Sequence, residues 1–320
     1  QAEDGIRDIG VTGVQTCALP ILARQAGLHV DAFAPRLSFF FNAHIDFFEE
    51  IAKYRAARRI WARWMRDRYG ATDERSMQMR FHAQTAGVSL TAQQPEVNIV
   101  RTAVEALAAV LGGTQSLHTN SMDEALALPT EKAARIALRT QQVIAHETNV
   151  AHVADPFGGS WFMEELTDEM ERRASEIFDA IDAMGGGSML EGCIKGIEEN
   201  WFQGRIADSA YELERAFNAG ERVVVGANRF LEGNEEGFGD ILRITQEQEE
   251  RQRTRLDAVR RDRNDEKVAA ARDRIAFEAA DPETNLMPAL IDASHAYVTL
   301  GEMMSTLGGV FGRHTEVPSI

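Results

Sequence analysis

The chain has 320 residues, 44% hydrophobic and 26% charged, which suits a globular protein with a sizeable core in one large domain or two smaller ones. Asp and Glu number 50 against 34 Lys and Arg, and the formal net charge of -16 offers no footprint for nucleic acid or an anionic membrane surface, although a few local arginines can still hold an anion. No apolar run approaches the roughly 20 residues that span a bilayer, and the two cysteines, Cys17 and Cys193, have neither disulfide-framework nor metal-ligand spacing, so no metal site is expected and a reducing cytoplasm is.

The opening QAEDGIRDIGVTGVQTCALPI lacks a secretory pattern and a hydrophobic period. It is similar to translated sequencing-adaptor DNA, so residues 1–25 are expected to be a non-native leader without a stable element, and Cys17 to carry no native meaning. Three segments of period two follow, RLSFFF from Arg36, SMQMRFHAQT from Ser76 and QSLHTN from Gln115, each succeeded by a helical pattern, at about 46–69, 96–111 and 131–147, with a break at Pro129. Strand and helix in alternation imply βα units and a parallel sheet. Each strand has one polar face: Arg36, Ser38 and Asn42, with Phe40 among them; Gln78, Arg80, His82 and Gln84; and Ser116, His118 and Asn120. A sheet covered on both sides would be apolar throughout. The polar faces are therefore expected around a barrel interior that holds a polar ligand, and the apolar faces against outer helices.

Beyond about residue 155 the pattern becomes helical, near 162–184 and 189–219, with a strand expected at VVVGANRF from Val223. The charged stretch 246–279 predicts a solvated helix, and the Met-rich NLMPALIDASHAYVTLGEMMSTLGGVFG an amphipathic one, its Met residues serving as core or as a partner interface.

RLSFFFNAH, RFHAQTAGVSLTAQQPEVNIVRT, GGTQSLHTNSMDEALALPTEKAARIALRTQQVIAHE and DPFGGSWFMEELT, followed by VVGANRF and TLGEMMSTLGGVFGRH, stand in one order that resembles the large subunit of the methylmalonyl-CoA mutase family. The resemblance covers nearly everything after about residue 33. It implies the C-terminal part of a (β/α)8 TIM barrel, about three parallel strands over 26–155, and a mostly helical region over 156–320 that packs on the barrel and faces a corrinoid partner. It also implies adenosylcobalamin-dependent radical isomerisation of a short branched acyl-CoA, most simply methylmalonyl-CoA to succinyl-CoA. The cofactor supplies the reactivity there, and the protein supplies orientation and exclusion of water.

By resemblance, Arg36 and Ser38 contact the CoA thioester substrate, and Arg80 is a further candidate for the CoA tail. Without it, Arg36 and Ser38 would read as an edge pair. Gln84 and His82 fall in the reaction cavity as catalytic candidates, and Gly87 lies beside the corrinoid, where a side chain would collide. His82 alone would read as a core histidine. Asn120 and Glu124 match residues that hydrogen-bond the deoxyadenosyl ribose, with Ala127 and Leu128 packing on the corrinoid; Asn120 can equally cap a helix begun by SMDEALAL.

The family's cobalt-ligating motif, Asp-x-His-x-x-Gly, includes none of the eight histidines, and Asp292 precedes His295 by three residues rather than two. The cobalt ligand is therefore expected from another chain or domain, in a hetero-oligomer with a cobalamin-binding small subunit. The front of the barrel is expected to be missing too, since three strands cannot close a barrel of eight. Its acyl-reading strands would choose among methylmalonyl-, isobutyryl-, ethylmalonyl- and 2-hydroxyisobutyryl-CoA. The alternative is a noncatalytic module that binds a corrinoid protein or a mutase chaperone.

Overall fold

The computed structural model describes residues 20–232, 241–313 and 315. Residues 1–19 of the expected leader, Cys17 included, lie outside them. Residues 20–25 depart from the expectation: they are helical, Pro20 is buried, and Ile21 packs against two core clusters.

Packing divides the chain into two compact units, Gln1–Leu242 and Arg243–Ile320. The first is built on a parallel sheet in the order β1 (Phe39–Ala43), β2 (Phe81–Thr85) and β3 (Ser116–His118). Each strand is followed by a helix, α1 (Phe47–Arg63), α2 (Val97–Leu111) and α3 (Glu131–Glu147), giving the βα succession of a partial barrel. Phe40 pairs with His82, Asn42 with Gln84, and Gln84 in turn with His118.

Burial alternates as the side-chain period requires. Phe41 and Ala43 are buried while Phe40 and Asn42 are exposed, and Phe81, Ala83 and Thr85 are buried while His82 and Gln84 are half-open. The buried face is aromatic: the Tyr54 ring of α1 stacks on Phe81 at 5.0 Å, Phe41 meets both edge-on, and Trp61 meets Phe39 at 4.9 Å. Below it, Lys53 and Glu50 form a buried ion pair at 2.6 Å, and Lys53 Nζ and the Tyr54 hydroxyl both donate to the Asn42 carbonyl. These bonds tie α1 to the end of β1.

All three strands are shorter than their sequence pattern, β3 ending at His118 before Thr119 and Asn120. Arg36 does not belong to β1, because Pro35 fixes a 3-10 turn over Ala34–Arg36 in which the Leu37 N–H bonds Ala34. Ser76 does not open β2. It lies in a helical turn, Glu74–Met77, capped by Asp73, where its hydroxyl donates to Asp31 and its carbonyl accepts from Trp61 Nε1.

Three further helices complete this unit: α4 (Trp161–Met184), α5 (Met189–Glu198) and α6 (Trp201–Asn218). Asn200 in the left-handed region breaks the expected 189–219 helix in two. Met163, Met170, Ala174, Phe178 and Ile181 of α4 share a core with Ile51, Ala56 and Ile60 of α1. Arg55 joins the same two helices by bonds to Glu164 and Thr167. The strand expected from Val223 does not form. Gly226 at φ +81° and Asn228, whose side chain accepts from Val224 N and donates to two carbonyls, curl 223–229 into a turn with one isolated bridge, Val225 to Arg229.

In the second unit α7 (Gln246–Asp262) has no buried residue, as its charge density predicts. A break at Asn264, the N-cap of the next helix, separates it from α8 (Asp265–Ala279). With α9 (Met287–His295) and α10 (Leu300–Phe311), α8 encloses Val268, Ile275, Ala289, Ala293, Val298 and Met303. Thr299 and Glu302 form a capping box at the start of α10, and Arg263 grips Glu302 with both terminal nitrogens at 2.7 and 2.8 Å. No helix among the described residues is long and apolar enough to cross a membrane.

Candidate functional site

The open face of the sheet ends, at its C-terminal edge, in two loops, 86–96 after β2 and 119–130 after β3. Gln84, the penultimate residue of β2, donates from Nε2 to Asn120 Oδ1 at 2.9 Å, and the Asn120 N–H donates to Thr85 Oγ1 at 2.8 Å. Asn120 is only 2% exposed, and its Nδ2 has no hydrogen-bond partner. A buried donor left unmade is costly, so the group is prepared for an acceptor from outside these residues. Beside it, a Cβ added to Gly87 would lie 3.0 Å from Asn120 Nδ2, 3.5 Å from Glu124 Cγ and 3.8 Å from Glu124 Oε1. Gln84, Gly87, Asn120 and Glu124 thus meet at one point. Two neutral amides and one exposed carboxylate over a glycine suit a ligand rich in hydroxyls that approaches the backbone closely.

Residues 121–128 do not form the expected helix. They make consecutive turns in which Glu124 N bonds Ser121 O, and Leu126 N and Ala127 N both bond Asp123 O. The Asn120 side chain therefore engages Gln84 instead of capping a helix. Ala127 is half-buried, and Leu128 is 54% exposed while its backbone bridges Leu242.

His82 lies on the open face with Nδ1 2.7 Å from Ser116 Oγ and its ring 5.2 Å from that of Phe40. Neither His82 nor Ser116 is buried, so His82 is no core histidine. Arg36 and Ser38 are exposed, Arg80 is half-buried just before β2, and none of the three side chains has a hydrogen-bond or ion-pair partner among the described residues. The structure brings Gln84, Gly87, Asn120 and Glu124 into one cluster but joins the arginines and Ser38 to it by no contact.

Supporting residues escaped the sequence reading. Asn98 on α2 is fully buried; its Nδ2 donates to Thr91 O and Met122 O, and its Oδ1 accepts from Thr91 N and Arg101 Nη1, so one side chain fastens both loops. Arg101 also reaches Val225 O at 2.6 Å, anchoring the 223–229 turn. Glu105, one turn further along α2, is fully buried. Burial pushes its carboxyl up to about 8; the Glu50 charge adds to this, while the Ser89 hydroxyl and the Arg101 guanidinium oppose it. Only the presence of polar residues at inward positions of a helix could have signalled these. Among the described residues no group of three or more His, Cys, Asp or Glu could hold a metal ion.

The sequence model of the methylmalonyl-CoA mutase family matches residues 11–313. The chain belongs to that family. It is 47% identical over 294 residues to the 2-hydroxyisobutanoyl-CoA mutase large subunit of Aquincola tertiaricarbonis, covering 92% of this chain and 51% of that protein. It is 42% identical to the probable mitochondrial methylmalonyl-CoA mutase of Caenorhabditis elegans (95% of this chain, 40% of the relative). It is 41% identical to the methylmalonyl-CoA mutase large subunit of Propionibacterium freudenreichii subsp. shermanii (91% and 40%). The chain thus spans about half the length of these mutases or less.

Proposed function

We propose that this chain supplies part of the barrel of an acyl-CoA mutase that isomerises the carbon skeleton of a short branched acyl-CoA with adenosylcobalamin. The observation that carries the reading is the unpartnered, buried Asn120 amide beside Gly87 and Glu124 at the C-terminal ends of β2 and β3, where barrel enzymes assemble their sites. The residues fit the cofactor: Asn120 Nδ2 would donate to a ribose hydroxyl, Glu124 would accept from one, and Gly87 leaves room for the corrinoid, with Ala127 and Leu128 as apolar contacts. When bound, adenosylcobalamin supplies a carbon-centred radical through homolysis of its cobalt–carbon bond.

The protein's own part is to position and to shield. Gln84, held by Asn120, and His82, held by Ser116, face the space where the acyl group would lie. Arg36, Ser38 and Arg80 would hold the CoA part, the arginines through their planar forks. The cobalt ligand comes from a corrinoid-binding subunit or domain, which is consistent with two relatives being named large subunits, and the assembly works as a hetero-oligomer in the cytoplasm.

Methylmalonyl-CoA is the substrate expected from the family as a whole. The 47% identity to the 2-hydroxyisobutanoyl-CoA mutase large subunit, against 41–42% for the methylmalonyl-CoA mutases, favours 2-hydroxyisobutanoyl-CoA as a second reading. The test is to assay the intact protein with its corrinoid-bearing partner, adenosylcobalamin and each acyl-CoA in turn, following isomers by mass spectrometry. Turnover of one acyl-CoA supports the reading and names the substrate. Cofactor binding without turnover of any of the four acyl-CoAs would overturn it in favour of a noncatalytic binding module.

A further inference from the structure

The loop that carries Asn120 and Glu124 has neither helix nor strand to hold its shape between Ser121 and Leu128. It is held instead around Asp123, which is 0% exposed. One oxygen of Asp123 accepts from the Ser121 hydroxyl at 2.6 Å, and the other accepts from the N–H and hydroxyl of Thr130 at 2.9 and 3.0 Å. Its backbone carbonyl accepts from Leu126 N and Ala127 N. One residue therefore pins the start of the loop, its middle and the N-cap of α3.

A buried carboxylate without a cationic partner is retained at a cost unless its hydrogen bonds are all made. Here three donors satisfy it, and each belongs to the loop itself or to the first residue after it. Apart from Thr130, the N-cap of α3, no bond of the Asp123 side chain reaches the sheet or a helix, so it sets the shape of the loop and its junction with α3. Asn120 immediately precedes the pinned stretch and Glu124 lies within it, and these are the two residues proposed for the deoxyadenosyl ribose. Asn120 is already fixed by Gln84 and Thr85, whereas Glu124, exposed, has its place set by the turn in which its N–H bonds Ser121 O, and Asp123 holds Ser121 through its hydroxyl.

We propose that Asp123 is a positioning residue for the cofactor: its carboxylate fixes the distance between Asn120 and Glu124, and so the spacing of donor and acceptor toward two hydroxyls of the nucleoside. This rests on the adenosylcobalamin reading above. It predicts an effect on cofactor affinity separate from the effect on the acyl-CoA.

The experiment compares wild type, Asp123→Asn and Ser121→Ala in the intact protein with its corrinoid-bearing partner. Adenosylcobalamin binding is titrated by absorbance, amide exchange across 120–130 is followed without cofactor, and KM for the acyl-CoA is measured at saturating cofactor. Asp123→Asn keeps the shape but presents an NH2 to donors on one side; it should weaken adenosylcobalamin by roughly 10- to 100-fold, the equivalent of one charge-assisted hydrogen bond. Exchange at Glu124, Leu126 and Ala127 should quicken, KM for the acyl-CoA should hold, and turnover should recover as cofactor is raised. Ser121→Ala, which removes one donor and leaves the fold intact, should move cofactor affinity and exchange in the same direction by up to about tenfold. If both variants bind adenosylcobalamin as wild type does, whatever happens to exchange, the positioning role is overturned. A wild type that binds no adenosylcobalamin overturns the cofactor reading and this proposal together.

Discussion

Gln84 and Asn120 join the ends of two neighbouring strands: Gln84 Nε2 donates a hydrogen bond to Asn120 Oδ1 at 2.9 Å, and this orientation leaves the Asn120 amide hydrogens directed away from Gln84, buried and without an acceptor. The pair thereby combines rigidity with an unspent donor. Replacing Gly87 by Ala tests that donor, because the new methyl would sit 3.0 Å from it. Gly87 has no positive φ, so the backbone accepts Ala, and thermal stability should change little. Adenosylcobalamin affinity of the assembled enzyme should fall, read by absorbance titration beside a melting curve. A variant that binds the cofactor as tightly as wild type would remove Gly87 from the site.

Glu124→Ala should act on the cofactor and spare the substrate. Loss of a hydrogen bond between a carboxylate and a hydroxyl costs roughly 1.5–3 kcal/mol, or about one to two orders of magnitude in turnover or cofactor affinity. Titration of adenosylcobalamin and of acyl-CoA against wild type and variant, at fixed partner concentration, separates the two effects. A raised KM for the acyl-CoA with turnover and cofactor binding intact would move Glu124 to the CoA site.

Asn98→Ala should destabilise the first unit rather than alter chemistry alone. The change strands Thr91 N, Thr91 O and Met122 O around a small void, while Arg101 Nη1 keeps its bond to Thr91 Oγ1. Buried polar groups left unpaired cost about 1–3 kcal/mol each, softened where water enters, so a loss of several kcal/mol is expected. Urea unfolding measures it, and a loss under about 0.5 kcal/mol, the ordinary effect of a surface substitution, would show that the two loops do not depend on Asn98.

Glu105 predicts a pH dependence of stability. Its folded-state carboxyl is raised from 4.5 to about 8, so the folded chain holds a proton that the unfolded chain releases at lower pH. Stability from this group is complete below about 4.5 and is lost as pH rises toward and through 8. Glu105→Gln keeps the shape without the ionisation. Unfolding midpoints from pH 5 to 9 should fall more steeply for wild type than for Glu105→Gln, and parallel curves would mean that the buried carboxyl does not titrate in this window.

Much of the fold was legible because its signals are local. The period-two faces of β1, β2 and β3 follow from pleat geometry alone, so Phe41, Phe81 and Ala83 could be assigned inward, and Phe40, His82 and Gln84 outward, from sequence. The helices over 97–111 and 131–147 likewise carry their own period. Strand ends were less legible, since Pro35 and the contacts of Ser76 with Asp31 and Trp61 turn the chain where the apolar alternation would have continued.

The sequence by itself determined the family, the alternation of strand and helix, and the identity of Gln84, Gly87, Asn120 and Glu124 as site candidates, because each depends on neighbouring residues or on blocks in order. Only the tertiary structure decided that Asn120 gives its acceptor to Gln84 and keeps its donor free, that 121–128 turns instead of coiling into a helix, and that Asn98, Arg101 and Asp123 hold the loops. Those outcomes rest on hydrogen bonds chosen by whichever partners burial brings together, 24 residues apart for Asn98 and Met122 and 124 for Arg101 and Val225, and no local period encodes such a choice.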